Sequence, residues 1–173
     1  MNERKKAWME RLETFFQNDE SVEEATIFTG EELGTPMDVL RLLVPNYGAG
    51  MLDILAEYSF LPVGEPEEIM YFSSVLTLLI EIPVGAVPAL SIAISKLNFY
   101  LPYGSFCLSK DGTMLVFKNI SLLRSDHDDE KIYEDIELAA DNALFIPEKY
   151  LYLLQQVAEG TLLVNDFLEM LPE

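Results

Sequence analysis

An apolar helix opened by Pro83 and Pro88, followed by two apolar runs that meet at Asp111-Gly112, constrains this chain more than any other stretch. Asp-Gly suits a type I′ turn, in which both central residues take φ > 0. Phe106 to Ser109 and Met114 to Leu122 therefore read as the two strands of a hairpin. The helix before it, from about Pro88 to Tyr100, is apolar over most of its surface, with Lys96 as its one charge. A helix of that kind is buried on more than one side and belongs across a sheet. No residue between 83 and 123 is placed to do chemistry, so the stretch speaks for architecture rather than for a reaction.

The rest of the chain supplies the partners of that unit. Arg4 to Phe16 places Ala7, Trp8, Leu12, Phe15 and Phe16 at helical spacing, which predicts an amphipathic first helix. Asp19 to Glu32 is acidic and reads as loop, with Ala25 to Thr29 as a marginal edge strand. Val39 to Val44, Met51 to Tyr58 and Met70 to Ile82 are rich in strand formers and predict a three-strand meander. Pro45 to Gly50 and Pro62 to Pro66 have the composition of the turns between them. Asp53 and Glu57 then share one face. After a polar break at Ser125 to Glu130, Asp128 or Asp129 caps a helix carrying Ile132, Tyr133, Ile136 and Ala140. Pro147 is read as a further helix start, Gly160 as its end, and Thr161 as the cap of a last segment bearing Leu163, Val164, Phe167 and Leu168.

Composition narrows the function. A chain of 173 residues at 50% hydrophobic can bury a full core, and one domain over 1–173, with 147–173 as a helical C-terminal extension, is the simplest division. Thirty acids against 11 bases give a net charge of −19, which repels phosphate and opposes docking on an anionic membrane. Nucleic acid and membranes are thereby disfavoured, and a protein or peptide rich in Lys and Arg fits best. Cys107 is the single cysteine, so no internal disulfide forms and no thiolate zinc site can be built, which points to a cytoplasmic setting. Met1 to Lys6 begins with positive charge, but Glu10, Arg11 and Glu13 stand where an export signal carries its apolar run. The apolar stretch from Ile69 to Ser95 is interrupted by Pro83, Gly85 and Pro88 and is read as strand, turn and helix rather than a membrane span.

Helix, three-strand meander, central helix, hairpin and closing helix is an order that resembles the type III secretion chaperone-like superfamily, including the YbjN-type bacterial proteins. The local likeness lies in Leu97-Asn98, Gly104-Ser105-Phe106, Asp111-Gly112 and Phe117-Lys118, and as topology it covers about residues 3 to 145. Such proteins are small, acidic and commonly homodimeric, and they bind polypeptide segments of a partner without catalysis. The resemblance thus implies a binding protein and a homodimer. The chain departs from the family after Pro147, where two further helical segments extend it.

Candidate chemistry is sparse. His127, the only histidine, lies in Asp126-His127-Asp128-Asp129-Glu130, an oxygen-rich run of a type that can hold Ca²⁺ or Mg²⁺. It lacks the glycine and distal glutamate of a calcium loop and reads as an exposed helix start. A nucleophilic pairing of His127 with Cys107 or a serine has no supporting motif. Alternation sets Cys107 opposite Phe106 and Leu108 without saying which side is core, and a buried inert thiol is the commoner case. Glu23-Glu24, Glu31-Glu32 and Glu67-Glu68 are adjacent carboxylates of the kind found on solvated faces. Gly48-Ala49-Gly50 has no Gly-Lys-Ser/Thr after it and reads as a turn, not a phosphate cradle. From Leu12 to Ser95 there are fourteen acids and one base, Arg41, while four of the eleven bases fall in the first eleven residues. That asymmetry either orients two subunits or a basic ligand, or merely keeps an apolar chain soluble. Tyr47, Tyr58, Tyr71, Tyr100, Tyr103, Tyr150 and Tyr152 supply amphipathic surface suited to interfaces.

The sequence thus predicts an α+β fold with a mainly antiparallel five-stranded sheet under helices. Its function is expected to be non-catalytic recognition of a polypeptide, with no catalytic, cofactor or metal residue assigned. An acidic immunity or inhibitor protein against a basic toxin is the first alternative, and a divalent-metal enzyme using clustered carboxylates the second.

Overall fold

In a computed structural model that describes residues 2–63 and 68–171, helix α1 (Glu3–Gln17) begins where the Asn2 side chain accepts from the Lys5 N–H. Of its expected stripe Trp8, Leu12 and Phe16 are buried and Phe15 partly so, while Met9 takes the buried place expected of Ala7, which is exposed. A six-stranded antiparallel sheet follows: β1 (Glu24–Phe28), β2 (Val39–Tyr47), β3 (Leu52–Phe60), β4 (Ile69–Leu78), β5 (Ser105–Leu108) and β6 (Leu115–Arg124), in the order β1-β2-β3-β4-β6-β5. The one-turn helix α2 (Gly30–Leu33) joins β1 to β2 behind a capping box of Thr29 and Glu32. Helix α3 (Val87–Tyr100) links the meander to the hairpin, and α4 (Asp129–Glu159) and α5 (Val164–Glu169) close the chain.

The architecture is therefore the expected α+β one, with a sixth strand. The expected marginal strand is β1, paired in register with β2 from Glu24 opposite Leu43 to Phe28 opposite Val39. Alternation along every strand then does the sorting. Leu40, Leu42, Ile54, Tyr58, Phe72, Leu76, Phe106 and Phe117 point to one side, where α1, α3 and α4 complete a single hydrophobic cluster. Phe16 stacks on Tyr58 at 5.7 Å and Tyr58 on Phe72 at 6.0 Å, so aromatic contact runs from the first helix into the middle of the sheet.

Four local expectations are corrected. Pro45 and Asn46 are not turn residues: β2 runs through them to Tyr47 across an irregularity between Val44 and Tyr47, and the turn is the four residues 48 to 51. A proline without a ladder donor is tolerated where the pairing is already broken. The hairpin at Asp111-Gly112 is real, but not type I′. Only Gly112 has positive φ (76°), and Asp111 instead accepts from Ser109 Oγ, Thr113 N–H and Thr113 Oγ, which holds its carboxyl down at about 2. Thr161 does not cap the last segment; its hydroxyl turns back to the Gln156 carbonyl, and Leu163 stands at the cap position of α5.

Pro147 gives the largest correction. It starts no helix but lies inside α4, which runs 31 residues to the left-handed Gly160. An interior proline removes one helical donor and crowds the carbonyl four residues back, a local cost of about 3 kcal/mol. Burial offsets it, because Ala143, Pro147, Leu151 and Leu154 form one continuous stripe against the core. Hydroxyls from the sheet side also reach the helix backbone at this level: Tyr47 donates to the Leu144 carbonyl, Tyr58 to Ala140 and Tyr103 to Ala139, the last two at 3.3 Å. Only the short α5 therefore follows the long closing helix α4.

Candidate functional site

Both edges of the sheet are sealed by side chains. On β1, the Ile27 N–H donates to Glu13 Oε1 and the Ala25 carbonyl accepts from Gln17 Nε2, both from α1. On β5, Asn98 of α3 grips Phe106 twice, accepting from its N–H at 2.8 Å and donating to its carbonyl at 2.9 Å. Gly104, at φ 67°, brings the chain into this clasp, where an added Cβ would fall 2.3 Å from the Phe117 ring. Occupied edge groups discourage a further strand from pairing there. The Leu97-Asn98 and Gly104-Ser105-Phe106 pieces are thus the parts that lock the central helix to the edge strand.

Open, concave surface lies elsewhere. A cleft of about 570 Å³ opens between the β2–β3 turn, the segment after α1 and the outer side of α4. Asp141, Phe145 and Glu148 stand at i, i+4 and i+7 on that helix, which gives them one common face opposite the buried Ala140, Ala143 and Pro147. Asp19 and Tyr47 complete the mouth. Among the described residues, three carboxylates and no basic side chain line it, over a floor that includes Val44, Pro45 and Leu144. Phe145 is 74% exposed, a large apolar group held in water beside them.

The electrostatics match that composition. Burial pushes the Asp141 carboxyl up, and the like charges of Glu137 and Asp19 add to the shift. Burial likewise raises the Tyr47 phenol, with Glu148 contributing. Asp19 is held by the Ser21 N–H at 2.8 Å and hydroxyl at 2.7 Å. Gly48, at φ 64°, leaves the rim open: a Cβ there would meet the Glu148 Cγ at 2.9 Å. Chemically, the cleft can take a cation alongside an apolar group.

Of the residues singled out from sequence, Tyr47 and Gly48 border the cleft, and those weighed for nucleophilic or metal chemistry fall elsewhere. Cys107 is exposed on the outward side of β5 while Phe106 is buried, so the inert-core reading of the thiol is overturned by alternation at the sheet edge. His127 is exposed in the loop before α4, and no hydrogen bond joins it to Cys107 among the described residues. Its acidic neighbours each have their own task. Asp126 holds Arg124 at 2.7 and 2.9 Å, Asp128 caps α4, Asp129 pairs with Arg4, and Glu130 grips Arg11 through two bonds of 2.7 Å. Arg11 also lies 3.7 Å over the Tyr133 ring. Two of the bases crowded at the N-terminus thus tie α1 to the start of α4 within the chain.

Among the described residues, no group of three or more His, Cys, Asp or Glu is arranged to hold a metal ion, and no helix is long and apolar enough to cross a membrane. Glu32 is used in the capping box, whereas Glu67 of the Glu67-Glu68 pair lies outside the described residues, as does part of the expected break at Pro62 to Pro66. Asp141, Phe145 and Glu148 went unnoticed because a helix start at Pro147 splits their common face; an uninterrupted helical reading would have shown it. Comparison with protein-family models, with curated proteins and with solved structures finds no match to this chain.

Proposed function

We propose that this chain is a non-catalytic protein-binding module, working in the manner of the secretion chaperone-like and YbjN-type proteins that its element order resembles. Its ligand is a basic polypeptide segment with an apolar anchor. The observation that carries this reading is the cleft beside Tyr47 and Phe145: three carboxylates without a neutralising base around an exposed aromatic ring. A Lys or Arg brought there offsets the like charges that add to burial in raising Asp141, and the same ligand covers Phe145. The edge clasps support it indirectly, because they turn partners away from strand pairing and toward side-chain surfaces.

The test is capture from a lysate on the immobilised chain at low and high salt, with Glu148→Lys and Phe145→Glu alongside. A defined polypeptide held at low salt by the parent, weakened by salt and lost from both variants supports the proposal. Recovery of no polypeptide under either condition, or equal recovery by the variants, overturns it. An acid-only wall also suits an inhibitor of a basic toxin; a captured partner whose own activity stops on binding would select that reading.

A further inference from the structure

The side of the sheet turned away from the core carries a second, chemically different surface. Pairing across the strands places Thr26, Arg41, Glu57, Val75, Lys118 and Ser105 in one outward row that crosses all six. No outward strand residue belongs to the hydrophobic core cluster, which the helices complete from the other side. Ile120 and Leu122 on β6 are 45% and 58% exposed. Glu24, Phe28, Leu43 and Leu55 line a pit of about 160 Å³ at the opposite end, with Arg41 at its wall, 5.2 Å over the Phe28 ring. The face thus offers apolar knobs on one flank and, on the other, a hollow with three apolar side chains between Glu24 and Arg41.

Charge says what covers it. The chain as a whole carries −19, yet its outward strand residues include three acids, Glu24, Asp53 and Glu57, and three bases, Arg41, Lys118 and Arg124. The balance is also divided. The half built from β1, β2 and β3 has three acids to one base, while the half from β4, β6 and β5 has two bases and no acid. Arg41 is paired with Glu57 at 2.7 Å, and Arg124 with Asp126 at 2.7 Å. Glu24, Asp53 and Lys118 make no ion pair among the described residues, so the surplus acid and the surplus base sit on opposite flanks.

We infer that this face docks on its own counterpart in a second copy of the chain. A two-fold arrangement that exchanges the halves sets the acidic flank of each copy over the basic flank of the other, and the knobs of β6 toward the hollow at β1 to β3. Elsewhere two copies at −19 repel, whereas a highly basic ligand gains nothing from a balanced face. The dimensions suffice. Six strands about 4.8 Å apart and up to ten residues long at about 3.3 Å each span about 24 by 30 Å. That outline, about 700 Å², is near the 800 Å² or so that each partner gives to a standard interface. The inference goes beyond the cleft and does not rest on it.

The experiment is sedimentation of the full chain over a concentration series up to about 100 μM, with Leu122→Glu, Lys118→Glu and Phe99→Glu. Phe99 serves as the control, since it is 84% exposed at the end of α3, away from this face. A dimer in the parent and in Phe99→Glu is expected, with dissociation raised about tenfold or more by Lys118→Glu and the dimer lost in Leu122→Glu. Methyl NMR of the parent chain on dilution adds a readout free of substitutions: signals of Leu55, Ile120 and Leu122 shift, and those of Ile92 and Leu163 stay. A parent monomeric throughout, a Leu122→Glu dimer as tight as the parent's, loss of the dimer in Phe99→Glu, or dilution shifts confined to Ile92 and Leu163 each overturns the inference.

Discussion

Glu57 and Tyr58 are neighbours on β3 and belong to different surroundings. Tyr58 is fully buried between Phe16 and Phe72, its hydroxyl turned to the Ala140 carbonyl and its ionisation pushed far up by burial. Glu57, one residue away on the outward side, meets Arg41 in a partly buried pair. The same contrast repeats on every strand, because all the helices that complete the core lie on one side. Stability is therefore concentrated on the inward face, and the outward face carries little of it. An ion pair near the surface such as Arg41 with Glu57, whose side chains keep 34% and 28% of their exposure, adds on the order of 1 kcal/mol, so it serves to organise the surface more than to hold the fold.

Substitutions on the two faces should separate these roles. Phe72→Ala empties the inward aromatic stack and should lower the unfolding free energy by about 3–5 kcal/mol in denaturant titration. Asn98→Ala should cost about 1–3 kcal/mol by the same measurement, because the Phe106 N–H and carbonyl lose their partners. Leu122→Ala, on the outward side of β6, should stay within about 0.5 kcal/mol. If Leu122→Ala cost as much as Phe72→Ala, the division of labour between the faces would be wrong.

The cleft sharpens the comparison through pH. The folded-state pKa of Asp141 is raised above its unfolded value, so its charge opposes folding at neutral pH, and that opposition fades as pH falls through the raised value. Asp141→Asn should then give a small gain, inside about 0.5 kcal/mol, that is present near pH 7 and gone below the ordinary carboxylate range. Thermal melts across pH would show it. Asp111 has the opposite sign. Its carboxyl is held at about 2 by Ser109 and Thr113, so its contribution is full above the ordinary value and is lost as pH falls toward 2.

Much of this layout is legible in the chain. Spacing of Trp8, Leu12 and Phe16, the Asp128 cap, the Gly160 stop and the hairpin at Asp111-Gly112 all announce their elements locally. What escaped is what distant residues decide. Pro147 has the composition of a start signal, and only the buried stripe and the Tyr47 hydroxyl, about a hundred positions earlier in the chain, make it an interior residue. β1 became a secure strand because Glu13 and Gln17 of α1 hold its free edge. The turn type at Gly112 was set by the Asp111 side chain, which spares Asp111 itself a positive φ. The cleft joins residues 19, 47, 141 and 148, a set that no local motif announces.

Methyl NMR of the whole chain, titrated with a synthetic peptide of alternating arginine and phenylalanine, bears most directly on how the surfaces divide their work. Saturable movement of the Val44 and Leu144 signals, with Leu55, Ile120 and Leu122 unmoved by the peptide, is the expected result. Movement confined to the outward sheet face, or none at either place by about 1 mM peptide, would contradict it.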